Sequence, residues 1–327
     1  MRKRVLITGG SGFVGSNLAR RALADGHEVH LILRPGHRPW RLEGIAGEVQ
    51  THVADLTSPD EMRESVAKAR PDWVFHLAAF GAYPAQTDLR EMVDTNLLGC
   101  AALIEACASR GVEAFVNAGS SSEYGEKDHS PSEEELLEPN SAYAITKAAA
   151  THLVQFTARA RNLNAVTVRL WSIYGPYEEP TRLIPTLLIH ALAGRWPPLV
   201  APDTARDFVF VNDAVDALLR VAATAGLPPG SVYNLCSGEQ STVRRVVEEV
   251  RRLTGIGVPP VWNTMPARAW DTKTWIGSPE RMAKDVGFRI RTGLQSGLEQ
   301  TRRWFREEPR QAAFYEERIL SAGRANG

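Results

Sequence analysis

The sequence predicts an α/β fold, a doubly wound parallel sheet followed by a smaller α/β domain. Three observations carry this expectation. Short apolar runs alternate with helical stretches through the first 170 residues, as a sheet covered by helices on both faces requires. The chain opens with a strand, a glycine turn and a helix in direct succession: Arg4-Val-Leu-Ile-Thr8, then Gly9-Gly-Ser-Gly12-Phe-Val-Gly15, then Ser16 to Asp25. Finally, 327 residues of which 43% are hydrophobic suffice for a large core and more than one compact unit.

In the first unit, Gly9 permits a tight turn, Gly12 lets the backbone approach a pyrophosphate, and Gly15 allows close helix-strand packing. The helix N-terminus adds free N–H groups and a partial positive charge. This reads as a Rossmann-type dinucleotide site; the plain alternative is an ordinary glycine-rich turn. The next strand, Glu28 to Leu33, should end in a carboxylate for the ribose 2′-OH of NAD, but Arg34 stands there, followed by His37, Arg38 and Arg41. A guanidinium suits a 2′-phosphate and has no equivalent grip on a hydroxyl. The expectation is therefore NADP(H) over NAD, with a solvated basic loop as the alternative.

The later elements follow in order. Glu48 to Ala54 is a strand ending at Asp55-Leu56, and Ser58 caps a helix running to Ala69. Asp72 to Ala79 is a buried strand, followed by a helix from about Leu89 to Ser109. Glu113 to Gly119 leads into Ser120-Ser-Ser-Glu-Tyr-Gly125 at a strand's carboxyl end, the edge where open α/β sheets bind ligands. Tyr143 and Lys147 lie four apart in a helical stretch and so share one face. A phenol titrates near ~10, and a neighbouring ammonium would favour its ionised form. An exposed pair on a solvated face is the alternative. Ala165 to Trp171 is the next strand, opening into Ser172-Ile-Tyr-Gly-Pro176. The reading divides the chain into a dinucleotide-binding domain, 1–170, and a mainly substrate-binding domain, 171–327, with segments at about 206–236 returning to the sheet. Val243 to Leu253 and Thr292 to Phe305 read as amphipathic helices, the second capped by Thr292, and the chain after about Pro309 as a fraying tail.

Composition narrows the function classes. With 38 basic and 38 acidic residues there is no electrostatic footprint for nucleic acid or an anionic membrane. The apolar start is too short for a signal peptide, and no run approaches the ~20 apolar residues of a membrane span. Cys100, Cys107 and Cys236 lack metal spacing and read as buried thiols, so a cytoplasmic enzyme without a metal is expected.

Thr8 to Gly15, Asp55-Leu56, His76-Leu-Ala-Ala79, Asn96, Ser120 to Gly125, Tyr143 to Lys147, Arg169 to Pro176 and Arg206 to Asp213 occur in the order seen in extended short-chain dehydrogenases/reductases. More narrowly, the chain resembles the NAD(P)-dependent epimerase/dehydratase branch acting on nucleotide sugars. The resemblance implies a catalytic set of Ser120, Tyr143 and Lys147. Tyr143 would be the general acid/base, Lys147 would lower its pKa and hold the nicotinamide ribose, and Ser120 would bond the reacting oxygen or, alternatively, cap the strand end. A one-residue gap would move that role to Ser121 and bring Glu123 to the acidic position of sugar dehydratases. Implied cofactor contacts are Gly9, Gly12, Phe13, Val14, Gly15, Arg34, Asp55, Leu56, Ala78, Ala79, Tyr143 and Lys147, with Asp55 either meeting the adenine amine or capping a turn. Arg206 and Arg268 resemble diphosphate-gripping arginines, Arg182 lies near the nucleotide-contact loop, and Ser172 replaces the family's Asn at a sugar contact. Trp270 and Trp275 either stack on ligand or pack between domains. His76 is expected to be a satisfied strand histidine and Asn96 a structural support.

The implied substrate is a nucleotide-diphosphate sugar. Arg34 places NADP(H)-dependent reduction of a 4-keto-sugar nucleotide first, and an NDP-sugar 4-epimerase with tightly held NAD second. A dehydratase ranks lower because Ser121 and Ser122 carry no carboxylate. A non-catalytic dinucleotide sensor predicts an eroded centre, whereas Ser120, Tyr143 and Lys147 are all present. The resemblance also implies a homodimer through helices Asn96 to Ser109 and Ala144 to Ala160, with Ala148, Ala149 and Ala150 allowing close approach.

Overall fold

Each apolar run is followed by a helix that carries the chain back to the same edge of the sheet, so the strands align in parallel. In the computed structural model, which describes residues 1–37, 40–83, 85–265 and 272–325, the strands are β1 (Arg4–Thr8), β2 (Glu28–Leu33), β3 (Gln50–Val53), β4 (Trp73–His76), β5 (Ala114–Ser120), β6 (Ala165–Leu170), β7 (Ser172–Tyr174), β8 (Ala205–Phe210), β9 (Val232–Leu235) and β10 (Gln240–Thr242). Seven form one sheet in the order β3-β2-β1-β4-β5-β6-β9, every pair parallel. The helices are α1 (Phe13–Ala24), α2 (Pro59–Ala69), α3 (Leu89–Val93), α4 (Gly99–Arg110), α5 (Ala142–Arg161), α6 (Leu183–Leu192), α7 (Val211–Ala223), α8 (Val243–Thr254), α9 (Leu294–Glu307) and α10 (Pro309–Ala325).

The central strand β1 explains the two-sided core. Val5 and Ile7 are buried in one cluster with Leu18 of α1 and Leu218 of α7, whereas Leu6 is buried in a second with Met62, Leu103 and Val154. A strand covered on both faces reads as a continuous apolar run rather than an alternating one. A third cluster joins α6, α8, α9 and α10 around Leu187, Val246, Leu298 and Tyr315, next to a small sheet of β7, β8 and β10. The chain returns to the large sheet through β9, which pairs with β6, and through α7, which packs on α1 and β5.

Four expectations are corrected. The buried strand ends at His76, not Ala79, because the Leu77 and Ala78 amides bond back to the Thr8 carbonyl and hydroxyl. The helix from Leu89 is interrupted by a π turn, Asp94–Leu98, which turns Asn96 inward. Thr292 is not a helix cap: its amide and that of Arg291 donate to the buried Asp213 carboxylate at 2.7 and 3.2 Å, and Gly293 takes the cap position. The segment after Pro309 is helical, anchored by buried Tyr315 and Ile319. The stretch Leu89–Arg110 is also long and apolar enough to cross a bilayer, with mean hydropathy 1.2. Its Cys100, Leu103, Ile104 and Cys107 are fully buried among side chains of α2 and α5, so this apolarity belongs to the core.

Candidate active site

The glycine turn between β1 and α1 is shaped by close approach. A Cβ on Gly9, whose φ is +70°, would lie 2.7 Å from the Ala78 amide nitrogen, and one on Gly15 would lie 2.2 Å from the Gly9 carbonyl oxygen. At Gly12 only the Gly9 carbonyl oxygen, 3.0 Å away, faces an added Cβ, so the outer side of the turn is open. Gly12 caps α1 without a side chain and no acidic residue occupies the first turn, where Phe13 and Val14 are half-buried. The unpaired N–H groups of that turn form an anion cradle.

Around this turn the other predicted contacts fall at the carboxyl edge of the sheet. Thr8 Oγ1 lies 2.7 Å from His76 Nδ1, and burial pushes that imidazole down to about 3, so His76 stays neutral and satisfied. Ala78 is half-buried and Ala79 exposed on the turn leaving β4. Asp55 is exposed and accepts from the Thr57 amide and hydroxyl at 2.9 and 2.8 Å, so it caps its turn. Leu56 fills the space a Cβ on Gly99 would need, 2.7 Å from its Cγ. Arg34 is exposed at the end of β2. Arg41 does not belong to that basic cluster: it is buried, its Nε donating to the Tyr177 carbonyl at 2.7 Å and its Nη2 to Glu179 at 2.9 Å. Arg38 lies outside the described residues.

Ser120 ends β5 and is held by a buried network. Glu123 Oε1 accepts the Ser120 amide at 2.8 Å, while Oε2 accepts Thr151 Oγ1 and Arg169 Nε, both at 2.9 Å. Arg169 Nη1 reaches Tyr124 Oη at 2.7 Å, and Tyr124 donates to Asn234 at 2.8 Å. Glu123 is therefore not a substrate contact: it is fully buried and both its oxygens are bonded within the protein. The Ser120 hydroxyl lies 2.7 Å from that of Ser122 and accepts the Ser122 amide, so it both caps the turn and faces Tyr143, whose phenol it pulls down. Ser121 is buried beside Trp171 and Trp275.

Tyr143 and Lys147 share a face of α5, below its Ser141 cap. Burial drives the Tyr143 phenol up to about 12, against the opposing pull of the Ser120 hydroxyl and the Arg182 guanidinium. The strongest downward pulls on the phenol come from Ser120 and Arg182, not from Lys147. Lys147 is 3% exposed, and burial pushes its ammonium down against the opposing pull of Glu123. Among the described residues nothing is hydrogen-bonded to that ammonium. Asn96 braces the pair: its side chain exchanges two 2.8 Å bonds with the Phe80 backbone and donates to Thr146 at 2.9 Å, while Thr146 donates to the Tyr143 carbonyl. An uncapped helix start and glycines where a Cβ would intrude fit the diphosphate of a dinucleotide at this turn.

Across from Tyr143, Arg182 occupies the N-cap position of α6 with its side chain exposed. Ser172 begins β7, half-buried. Arg206, on β8, bonds the Ala205 carbonyl at 2.6 Å and lies 5.7 Å from the ring centre of Trp275. Arg268 and Trp270 lie outside the described residues. Two groups escaped the sequence reading. Tyr83, in the loop after β4, is close enough to raise the Tyr143 phenol. Glu178 is buried with Oε2 unpaired, its carboxyl raised to about 8 by burial. The signal for both was position alone: each follows a motif already quoted, His76 to Ala79 and Tyr174-Gly-Pro176.

Comparison with known proteins yields one family and a consistent set of relatives. The family model described as NAD dependent epimerase/dehydratase family matches residues 5–236. A UDP-glucose 4-epimerase of Streptomyces lividans is 29% identical over 88% of this chain and 92% of its own length. A dTDP-glucose 4,6-dehydratase of Neisseria gonorrhoeae is 28% identical over 93% of this chain and 96% of its own. The crystal structure of a Thermus thermophilus UDP-glucose 4-epimerase in complex with NAD superposes with a TM-score of 0.81 at 30% identity, covering 94% of this chain and 99% of that one.

Two outcomes follow from the site's buried charges. Arg169→Met leaves the Glu123 carboxylate buried and unpaired, so urea denaturation should show a loss of about 3–5 kcal/mol, with Glu123→Gln in the same chain recovering much of it. The Glu178 carboxyl has a raised value in the folded protein, so its contribution to stability is complete below the unfolded value near ~4.3 and is lost as pH climbs towards about 8. Thermal melts of Glu178→Gln should lack this decline; parallel pH profiles for the two proteins would show that Glu178 ionises normally.

Proposed function

Because the chain belongs to the NAD-dependent epimerase/dehydratase family, extended short-chain dehydrogenases/reductases acting on nucleotide sugars, we propose that it is an NDP-sugar 4-epimerase that retains NAD. One observation carries this reading. Ser120 faces Tyr143, one turn before Lys147 on the same helix face, while Glu123, the acid that a one-residue gap would bring to the dehydratase position, is bonded into the Arg169 network. The site is thus equipped for reversible oxidation of a hydroxyl and not for dehydration. The UDP-glucose epimerase relatives support the same choice over a dedicated reductase.

In this reading the first-turn amides of α1 bind the cofactor diphosphate and Lys147 donates to the nicotinamide ribose. Bound NAD supplies a hydride acceptor and, when oxidised, a positive ring charge. Tyr143 would take the proton from the sugar 4-hydroxyl as C4 is oxidised to the ketone and return it to the same oxygen when C4 is reduced from its other face, while Ser120 donates to that oxygen. A phenol held up to about 12 is a poor base; a second positive charge beside it favours the phenolate. In the same reading Arg182 and Arg206 pair with the substrate diphosphate and Ser172 contacts the sugar.

A specific observation favours a second reading. Arg34 is exposed at the end of β2 and no acid stands there, which suits NADP(H) and hence net reduction of a 4-keto sugar. The retained nucleotide separates the two. The epimerase reading expects NAD in the purified protein and interconversion of UDP-glucose and UDP-galactose without added cofactor, and it expects Tyr143→Phe to lose at least about 100-fold in kcat. Stoichiometric NADPH consumption would establish the reductase instead, and wild-type turnover by the variant would remove Tyr143 from the chemistry.

The protein is further proposed to be a homodimer through α4 and α5. Ile145, Ala149, His152 and Phe156 repeat at helical spacing along α5, and Ile145, Phe156 and, at the start of α4, Leu98 are 55%, 71% and 49% exposed. Light scattering should give twice the chain mass, falling to one chain for Phe156→Glu; a monomeric wild type would refute the interface.

A further inference from the structure

The segment Pro176–Arg182 receives contacts from three directions. From α1, Asn17 Nδ2 donates to the Pro176 carbonyl at 3.0 Å, and the Arg20 guanidinium lies 4.0 Å from the Tyr177 ring centre. From the turn after β2, Arg41 holds the Tyr177 carbonyl and the Glu179 carboxylate. From the C-terminal helix, fully buried Tyr315 donates its phenol to the Glu178 carbonyl. Tyr177 has φ +69°, the left-handed region that is costly for a residue with a side chain. Such a conformation persists only when its surroundings impose it, and these contacts are the surroundings. The segment ends at Arg182, whose exposed guanidinium lies close enough to Tyr143 to pull its phenol down.

We propose that Tyr315 is a positioning residue for substrate: its hydroxyl fixes the backbone at Glu178, and through it the place of Arg182 beside Tyr143. The C-terminal helix α10 thereby sets the affinity of the site through the backbone of the segment before α6. This rests on the reading of Arg182 as a substrate-diphosphate contact. The hydroxyl is separable from the fold, because the Tyr315 ring packs on Trp40, Trp304 and Phe305 with centroids 6.0, 5.7 and 5.0 Å away. Phenylalanine keeps that packing and loses only the hydrogen bond.

The test is calorimetry on NAD-loaded protein, using whichever of UDP-glucose, dTDP-glucose and GDP-mannose the wild type binds tightest. Tyr315→Phe should raise the sugar-nucleotide Kd roughly fivefold, the worth of one neutral hydrogen bond, and leave the NAD Kd within about twofold. Arg182→Ala should raise the sugar-nucleotide Kd as well, and adding Tyr315→Phe to it should change nothing more, since Tyr315 acts through Arg182. p-Aminophenylalanine at position 315 restores a donor and should restore the Kd. Should Tyr315→Phe fold poorly, p-fluorophenylalanine, which has the ring but no donor, replaces it in the same comparison. If Arg182→Ala binds like wild type, or no sugar nucleotide binds wild type, the substrate reading of Arg182 fails and the proposal with it. If Arg182→Ala weakens binding while Tyr315→Phe does not, adds independently, or weakens NAD equally, the positioning role is overturned and the substrate reading stands.

Discussion

The buried pair of Glu123 and Arg169 is the interaction on which the active edge depends. It ties the turn after β5 to β6 and, through Thr151, to α5, so that Ser120 and Tyr143 are set by one network. Isolated buried pairs seldom stabilise a protein, because desolvation offsets the attraction. This pair has further bonds on both partners, and Tyr124 and Asn234 extend it to β9. A rigid polar network of this kind fixes one geometry even where it adds little net stability. The close packing at Gly119 fits that role, since a Cβ there would lie 2.7 Å from Glu123 Oε1.

Much of this architecture was legible in the chain. Strand, glycine turn and helix need only local residues to be recognised, and β1, β2 and α1 appear where the apolar runs and glycines put them. The juxtaposition of Ser120 with Tyr143 was legible through ordered motifs. The electrostatics were not. Four-residue spacing brings Lys147 onto the face of Tyr143, but it does not reveal that Lys147 is buried, that desolvation raises the phenol, or that Glu123 is the acid acting on the ammonium. Arg41 misled for the same reason: its partner Glu179 is 138 residues away, and a basic cluster in sequence says nothing about distant acids. Glu123 was open to a dehydratase role only under a one-residue gap in its loop, because spacing alone does not reveal that Arg169 holds its carboxylate.

The two halves of the molecule are joined where α1 meets the segment before α6. Helix α1 supplies the anion cradle at one end and, one and two turns later, Asn17 and Arg20 against the segment before α6. An aromatic cluster of buried Tyr315 with half-buried Trp40, Tyr177 and Trp304 packs against that segment. Ring pairs of this kind pack densely and deform little, so the junction is held as one rigid contact.

The π turn at Asp94–Leu98 carries a consequence for how this chain tolerates length changes. A π turn holds one residue more than a regular helical turn, and one residue corresponds to about 100° of rotation. The apolar face buried by α3 and the one buried by α4 are therefore out of phase in sequence while remaining aligned in space. Deleting a single residue here would give a smoother helix by every local criterion, yet it would swing Asn96 away from Phe80 and Thr146. The irregularity works as a register mark, and it is read only by the loop and helix on either side of Tyr143.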